Sequence, residues 1–195
     1  VQPSPQTESG TKMTFHITAL CGSLRQASIN RTLLNAARQV ASPHKATIHL
    51  FDGLGHLPIF NPDNEDTDDG NVAAFRAALR RADAVLIASP EYAHGVTGVI
   101  KNALDWVVAS GEFMQKPVAC LNASGRATIA QAALIETIST MDARIVTDAC
   151  ITIPLNGKNF DVDDVVQDTS SRDLLDRALG NLTAAILTDD ITDVI

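Results

Sequence analysis

The chain has 195 residues, 45% of them apolar and 19% charged, with a formal net charge of −8 at pH 7. That length supports a sizeable core in one domain, and the acidic balance argues against nucleic acid or an anionic membrane as a partner, since both attract basic surfaces. No apolar run approaches the roughly 20 residues of a membrane span, and the polar, Pro-containing stretch Val1 to Lys12 lacks a signal-peptide core. Residues 1–12 are therefore expected to be a flexible extension ahead of a domain over 13–195, and the protein to be cytoplasmic.

The first strand-like run is Phe15 to Leu20, followed by Gly22-Ser23-Leu24-Arg25-Gln26-Ala27-Ser28-Ile29-Asn30 and a helical pattern from Asn30 to Val40. This connection suits a phosphate. Ser23, Ser28 and Asn30 offer small donors, Arg25 a forked cation, and the helix start free N–H groups with a positive dipole end. Capping alone would need only Ser28, with Arg25 left facing solvent.

A second strand is expected over Ala46 to Phe51. The acidic segment Asn61 to Asn71 reads as a solvated turn before a helix over Val72 to Arg81. The run Ala84 to Ala88 is short and β-branched enough for a buried parallel strand. It leads into Ser89-Pro90-Glu91-Tyr92-Ala93-His94-Gly95, where the only Tyr of the chain stands beside a rigid turn. Pro90 stops the strand, and Gly95 and Gly98 are expected to let the backbone turn closely around a flat ring before a helix over Ile100 to Val108. On that helix Lys101 and Asp105 are neighbours at i, i+4, with Trp106 next in line.

Further on come a strand at Pro117 to Leu121, a loop over Asn122 to Thr128 and a helix over Ile129 to Met141. A strand-like region from Arg144 to Ile153 and a final helix over Ser171 to Leu187 complete the chain. The loop, with Ser124 and Gly125, follows the fourth strand and is either a plain connection or a cover for the ligand. The βα alternation implies an α/β fold with a doubly wound sheet of five parallel strands. Cys21, Cys120 and Cys150 form no C-x-x-C pair and read as buried small hydrophobes, and the five histidines lack metal-site spacing, so no metal is expected.

Together, G-S-L-R-x-x-S-x-N at 22–30 and P-E-Y-x-x-x-x-x-G-x-x-K-N-A-x-D-W at 90–106 resemble the NAD(P)H-dependent FMN reductase family. The usual Asn of the second motif is replaced by Ala93, and a Leu by Ile100. The resemblance implies a flavodoxin-like sheet of order 2-1-3-4-5, with ligands outside the carboxyl ends of strands one and three, where the order reverses. It implies FMN held by Ser23, Arg25, Ser28, Ile29 and Asn30 at the phosphate, and by Pro90, Glu91, Tyr92, Ala93, His94, Gly95, Ser124 and Gly125 around the ring. Glu91 is expected to hold the loop, since a carboxylate sits poorly beside a reduced flavin, and His94 to be either a ring-edge donor or a loop-holding residue. NAD(P)H is the implied cosubstrate, in ping-pong hydride transfer to a small-molecule electron acceptor such as a quinone, azo compound, free flavin or metal oxyanion. No catalytic side chain is needed, because the flavin carries the chemistry. The resemblance also implies a homodimer or homotetramer, with Lys101, Asp105 and Trp106 at the subunit interface.

Competing classes fail on spacing. A low-molecular-weight phosphotyrosine phosphatase needs Arg six positions after its Cys, and six after Cys21 stands Ala27. A response-regulator receiver needs acidic residues after the first strand and an Asp after the third; Leu20-Cys21-Gly22 and Ser89-Pro90 supply neither. The alternative left is an FMN-binding electron carrier or redox sensor without nicotinamide turnover.

Overall fold

A computed structural model describes residues 14–66 and 69–192, with side chains as far as 188. The expectation for residues 1–12, and the part of the acidic turn at Thr67 and Asp68, lie outside the described residues. The elements in chain order are β1 (Phe15–Cys21), α1 (Ile29–Gln39), β2 (Ala46–Leu50), α2 (Gly70–Arg81), β3 (Ala84–Ala88), β4 (Glu91–Tyr92) and β5 (Gly95–Val96). They continue with α3 (Gly98–Asp105), β6 (Pro117–Leu121), α4 (Thr128–Ser139), β7 (Arg144–Ile145), α5 (Val162–Gln167) and α6 (Thr169–Thr192).

β3 and β6 are apolar throughout and every residue of both is buried, as a strand covered on two faces requires. They occupy the middle of a parallel sheet of order β2-β1-β3-β6-β7, with a separate β4-β5 hairpin, so the five main strands follow the expected 2-1-3-4-5 order. β2 lies at the edge and alternates, burying Ala46 and Ile48 while Thr47 and His49 face solvent. One face is covered by α1, α5 and α6 through Leu33, Leu34, Val165, Leu175 and Leu182. The other is covered by α2, α3 and α4 through Phe75, Leu79, Ile100, Leu104, Leu134 and Ile138. Burying each such side chain contributes about 1.5–3 kcal/mol. No helix among the described residues is long and apolar enough to cross a membrane.

Two expectations are corrected. The fifth strand, expected over Arg144 to Ile153, is regular only at Arg144–Ile145. Thr147–Ala149 then winds into a 3-10 turn, and pairing resumes at the Asn122–Thr152 bridge. Opposite the break, the Cys120 N–H donates to Cys150 Sγ (3.3 Å) and the Cys120 carbonyl accepts from Gln131 Nε2 (3.0 Å). Side chains thus serve as partners for Cys120 where the strand pairing is interrupted.

Trp106 is the second. It is only 2% exposed within the single chain, sits edge-on to Phe60, and donates from Nε1 to the Pro58 carbonyl at 2.7 Å. Asn102 reinforces the same loop, accepting from Phe60 N and donating to Pro58 O. Trp106 is therefore a core residue that fastens the 58–60 loop rather than an interface contact. Lys101 and Asp105 do form the expected exposed i, i+4 pair.

β1 and β3 end level with one another, Cys21 opposite Ala88, and Gly22 N extends the ladder to Ala88 O at 2.8 Å. A Cβ on Gly22 would lie 2.3 Å from Ser89 Oγ, 2.7 Å from Ser89 Cβ and 2.8 Å from Ile100 Cγ1. Rotating the hydroxyl relieves only the first of these contacts. Gly22→Ala should therefore destabilise the fold by about 1–3 kcal/mol, the usual cost of overpacking, read as a lowered urea midpoint at unchanged slope.

Candidate functional site

The first wall of the site begins where β1 stops. Ser23 is buried and its Oγ accepts from Arg25 N at 3.4 Å, which curls the chain outward. Ser28, extended at φ −96° and ψ 120°, caps α1 by accepting from Arg31 N, and its carbonyl accepts from Thr32 N. The N–H groups of Ile29 and Asn30 in the first turn have no acceptor within the helix. Asn30 is 4% exposed, yet its Oδ1 has no hydrogen-bond partner. Leaving a buried acceptor unmet costs about 1–3 kcal/mol, so a donor from outside the chain, such as a hydroxyl, would be well placed there. Arg31 is committed to Asp52 at 2.6 Å, whereas Arg25 is exposed and makes no ion pair among the described residues.

The opposite wall is the β4-β5 hairpin, which pairs Glu91 with Val96 and Tyr92 with Gly95. Its turn residues are Ala93 (φ 50°) and His94 (φ 57°), two consecutive left-handed positions of the kind a type I′ turn needs. This corrects the expectation that Gly95 and Gly98 shape the turn. A Cβ on Gly95 would meet only Tyr92 O at 3.6 Å, and one on Gly98 nothing within 4 Å. The strained position is Ala93, where a left-handed conformation costs about 1–2 kcal/mol.

Glu91 holds this hairpin in place. Its Oε2 accepts from Ala130 N at 2.9 Å in the first turn of α4, and its Oε1 contacts His94 Nδ1 at 2.9 Å. The Ala130 amide, and after it the His94 ring, keep the carboxyl below the usual glutamate range against the opposing effect of burial. Tyr92 is left 58% exposed beside the cleft, a large ring with one open face.

The third wall is the loop after β6. Asn122 Oδ1 accepts from Ser124 N (2.9 Å), Asn122 Nδ2 donates to Ala127 O (3.0 Å), and Ser124 Oγ accepts from Arg126 N (3.3 Å). A cleft of about 470 Å³ opens between the three walls. Of the residues predicted from sequence, Ser23, Arg25, Ser28, Ile29, Asn30, Pro90, Glu91, Tyr92 and Ser124 line it. Ala93, His94, Gly95 and Gly125 are not in its lining, and His94 takes the loop-holding role. Ala27, Ser89, Arg126, Ala127, Asn156 and Gly157 line it without having been singled out. Asn156-Gly157, with φ 78° at the glycine, is a turn signal readable in sequence, and it follows the fifth strand at the same sheet edge. Charge in the cleft comes from Arg25 and Arg126 against Glu91, whose carboxylate is already engaged. The cleft therefore has an anion-seeking end at α1 and a flat apolar wall at Pro90 and Tyr92.

Residues 15–156 match the family model described as NADPH-dependent FMN reductase. An NAD(P)H:quinone oxidoreductase of Solanum tuberosum is 42% identical over 93 residues, covering 46% of this chain and 48% of that protein. An NAD(P)H-dependent FMN reductase of Pseudomonas aeruginosa is 34% identical over 169 residues, covering 84% and 90%. The chain thus spans about half the length of the potato relative, but most of the bacterial one. Among solved structures, the flavoenzyme NAD(P)H:(acceptor) oxidoreductase from Paracoccus denitrificans superposes with a TM-score of 0.81 at 25% identity, covering 90% of this chain and 98% of that one.

Two outcomes follow from the hairpin. Ala93→Asn, which tolerates the left-handed region, should raise stability by a few tenths to about 1 kcal/mol, seen as a higher thermal midpoint. The carboxyl of Glu91 is depressed in the folded state, so its stabilising effect is present above the unfolded glutamate value of about 4.3 and is lost as pH falls through the lower folded value. Urea midpoints of the native protein and Glu91→Gln should therefore differ at pH 7 and converge below about pH 4.

Proposed function

This chain belongs to the NADPH-dependent FMN reductase family, and from that premise we propose that it is an NAD(P)H-dependent oxidoreductase binding FMN in the cleft of a domain over 13–195. One observation carries the reading: free helix-start amides and Arg25 stand at one end of a single cleft, and an open Tyr92 ring at the other. A phosphate, a hydroxylated linker and a flat ring match these groups in that order. Ser23, Ser28 and the N–H groups of Ile29 and Asn30 would take the phosphate, with Arg25 neutralising it, and Asn30 Oδ1 would accept from a ribityl hydroxyl. Pro90 and Tyr92 would flank the ring, opposite Ser124 and Arg126.

When bound, FMN supplies two-electron chemistry, taking a hydride from the nicotinamide and passing electrons to an acceptor. The residues of the cleft position and exclude rather than transfer protons: the one carboxylate in its lining, that of Glu91, is committed to Ala130 and His94. The cleft is wide and open above Tyr92, which admits nicotinamide and acceptor in succession at the same face. Curated relatives named for quinones favour a quinone as the acceptor; azo compounds, free flavin and metal oxyanions fit the same opening. A cytoplasmic setting belongs to this reading, supported by three free thiols. So does a homodimer or homotetramer, supported by the exposed apolar Val108, Met114 and Ile129 and excluding Trp106 from the contact.

The purified protein should be yellow and release FMN rather than FAD on denaturation. Arg25→Ala should weaken FMN binding by about 1.5–3 kcal/mol, as expected for a charged hydrogen bond, in a fluorescence titration. With quinone varied at several NAD(P)H concentrations, double-reciprocal plots should be parallel; intersecting lines would place donor and acceptor in separate sites. Anaerobic NAD(P)H that fails to bleach the flavin would instead leave an electron carrier or sensor.

A further inference from the structure

We propose that Cys120 and Cys150 form a two-thiol redox site that a hydroperoxide converts to a disulfide, and that this disulfide loosens the loop walling the cleft. The second part rests on the FMN reading above; the first does not. The break in the fifth strand brings the two residues together, placing Cys150 Sγ where a backbone carbonyl would otherwise receive the Cys120 N–H, at 3.3 Å. Cys150 also packs against the same apolar cluster that buries Cys120. Cys120 is fully buried in β6, while Cys150 is half-buried and reaches solvent. Cys21 has no such partner: it is buried against the other face of the sheet, and its thiol donates to Ser23 O.

The environments divide the roles. The Cys120 thiol, and then its backbone N–H, pull Cys150 down to about 7 despite burial. The hydrogen bond with Cys150, joined by burial, pushes Cys120 well up. Near neutral pH a substantial fraction of Cys150 is thus thiolate while Cys120 stays a thiol, the arrangement of an attacking and a resolving cysteine. The Cys150 thiolate attacks the outer peroxide oxygen, the O–O bond breaks, and the departing alkoxide takes up a proton to leave as an alcohol. Cys150 is now a sulfenic acid. Cys120 then attacks that sulfur, the S–O bond breaks, and hydroxide leaves as water with the Cys120 proton. The peroxide gains two electrons and the thiol pair loses two.

An S–S bond of about 2.05 Å is far shorter than any non-bonded contact between two sulfurs, so closure draws Cys150 toward β6. Next to Cys150, the Ile151 carbonyl accepts from Asn122 N at 2.8 Å, and Ile153 N donates to Asn122 O at 2.9 Å. Asn122 is the residue whose side chain holds Ser124 and Ala127. Displacing its backbone partner disturbs the third wall of the cleft.

The test treats reduced protein, incubated with added FMN, with a few equivalents of hydrogen peroxide at neutral pH, alkylates it with iodoacetamide after denaturation, and maps it by mass spectrometry. A Cys120–Cys150 cross-linked peptide, reversed by dithiothreitol and accompanied by alkylated Cys21, is expected. Cys120→Ser should give oxidised Cys150 with no cross-link, and Cys150→Ser should leave Cys120 alkylated. FMN affinity should fall by about fivefold or more in the cross-linked form and return on reduction, with Cys150→Ser unaffected by peroxide. Both thiols remaining alkylatable, or Cys150 oxidising without a cross-link, overturns the site. A cross-link with unchanged FMN affinity overturns its link to the loop. A protein that forms the cross-link but takes up no FMN in either state keeps the thiol site and removes both the FMN reading and that link.

Discussion

The contact of Gly22 with Ser89 is the constraint on which the rest of the site depends. Two parallel strands whose connections depart in opposite directions leave a crevice at their carboxyl ends, but its width is set by how closely the first residues of the two loops approach. With Ser89 Oγ 2.3 Å from the position of a Cβ on Gly22, the loops are packed backbone to side chain. The α1 amides and the β4-β5 hairpin are therefore held on either side of one narrow floor. A side chain at position 22 would press on Ser89 and Ile100 and shift the two loops relative to one another.

Legibility in the sequence followed the kind of force involved. Continuous apolar runs at Ala84 to Ala88 and Pro117 to Leu121 announce buried parallel strands, since only a strand covered on both faces has no use for alternation. The Ser23 to Asn30 loop was equally readable, because small donors, an Arg and a helix start converge within a few residues. Features that arise from long-range accommodation were not readable. The break after Ile145 is tolerated only because Cys150 and Gln131, distant in sequence, satisfy Cys120. Trp106 looks like a surface aromatic until Pro58 and Phe60 are seen to close over it. The hairpin turn escapes the sequence for a different reason: glycines attract the expectation of positive φ, yet here Ala93 and His94 adopt it, with Glu91 bonded to the His94 ring and to Ala130 of α4.

The chain carries a net charge of −8, and the site reverses that sign locally. Among the described residues Arg25 and Arg126, which line the cleft, make no ion pair, while Arg31 is spent on Asp52 and Arg76 on the carbonyls of Trp106 and Glu65. The one carboxylate that faces inward, Glu91, takes hydrogen bonds from Ala130 and His94 and so projects little unscreened negative charge. An anion entering the cleft meets a positive field within an acidic surface, which favours this entrance over the rest of the molecule.

Hydrogen bonds to backbone groups fix the three walls of the cleft in addition to the apolar packing beneath them. Glu91 ties the hairpin to the α4 amide of Ala130, Asn122 ties the loop after β6 to itself and to residues 151–153, and Gly22 ties the first loop to β3. Bonds to the main chain are indifferent to the side chains of the bonded residues, so positions such as 93 and 125 can vary without dismantling the frame, provided Glu91, Asn122 and Gly22 stay. The same economy makes the frame sensitive at its few side-chain nodes. Protonating Glu91 weakens the bond between the hairpin and α4, and drawing Ile151 away from Asn122 loosens the loop after β6, while Val96 and Ile153 keep each segment packed on the core.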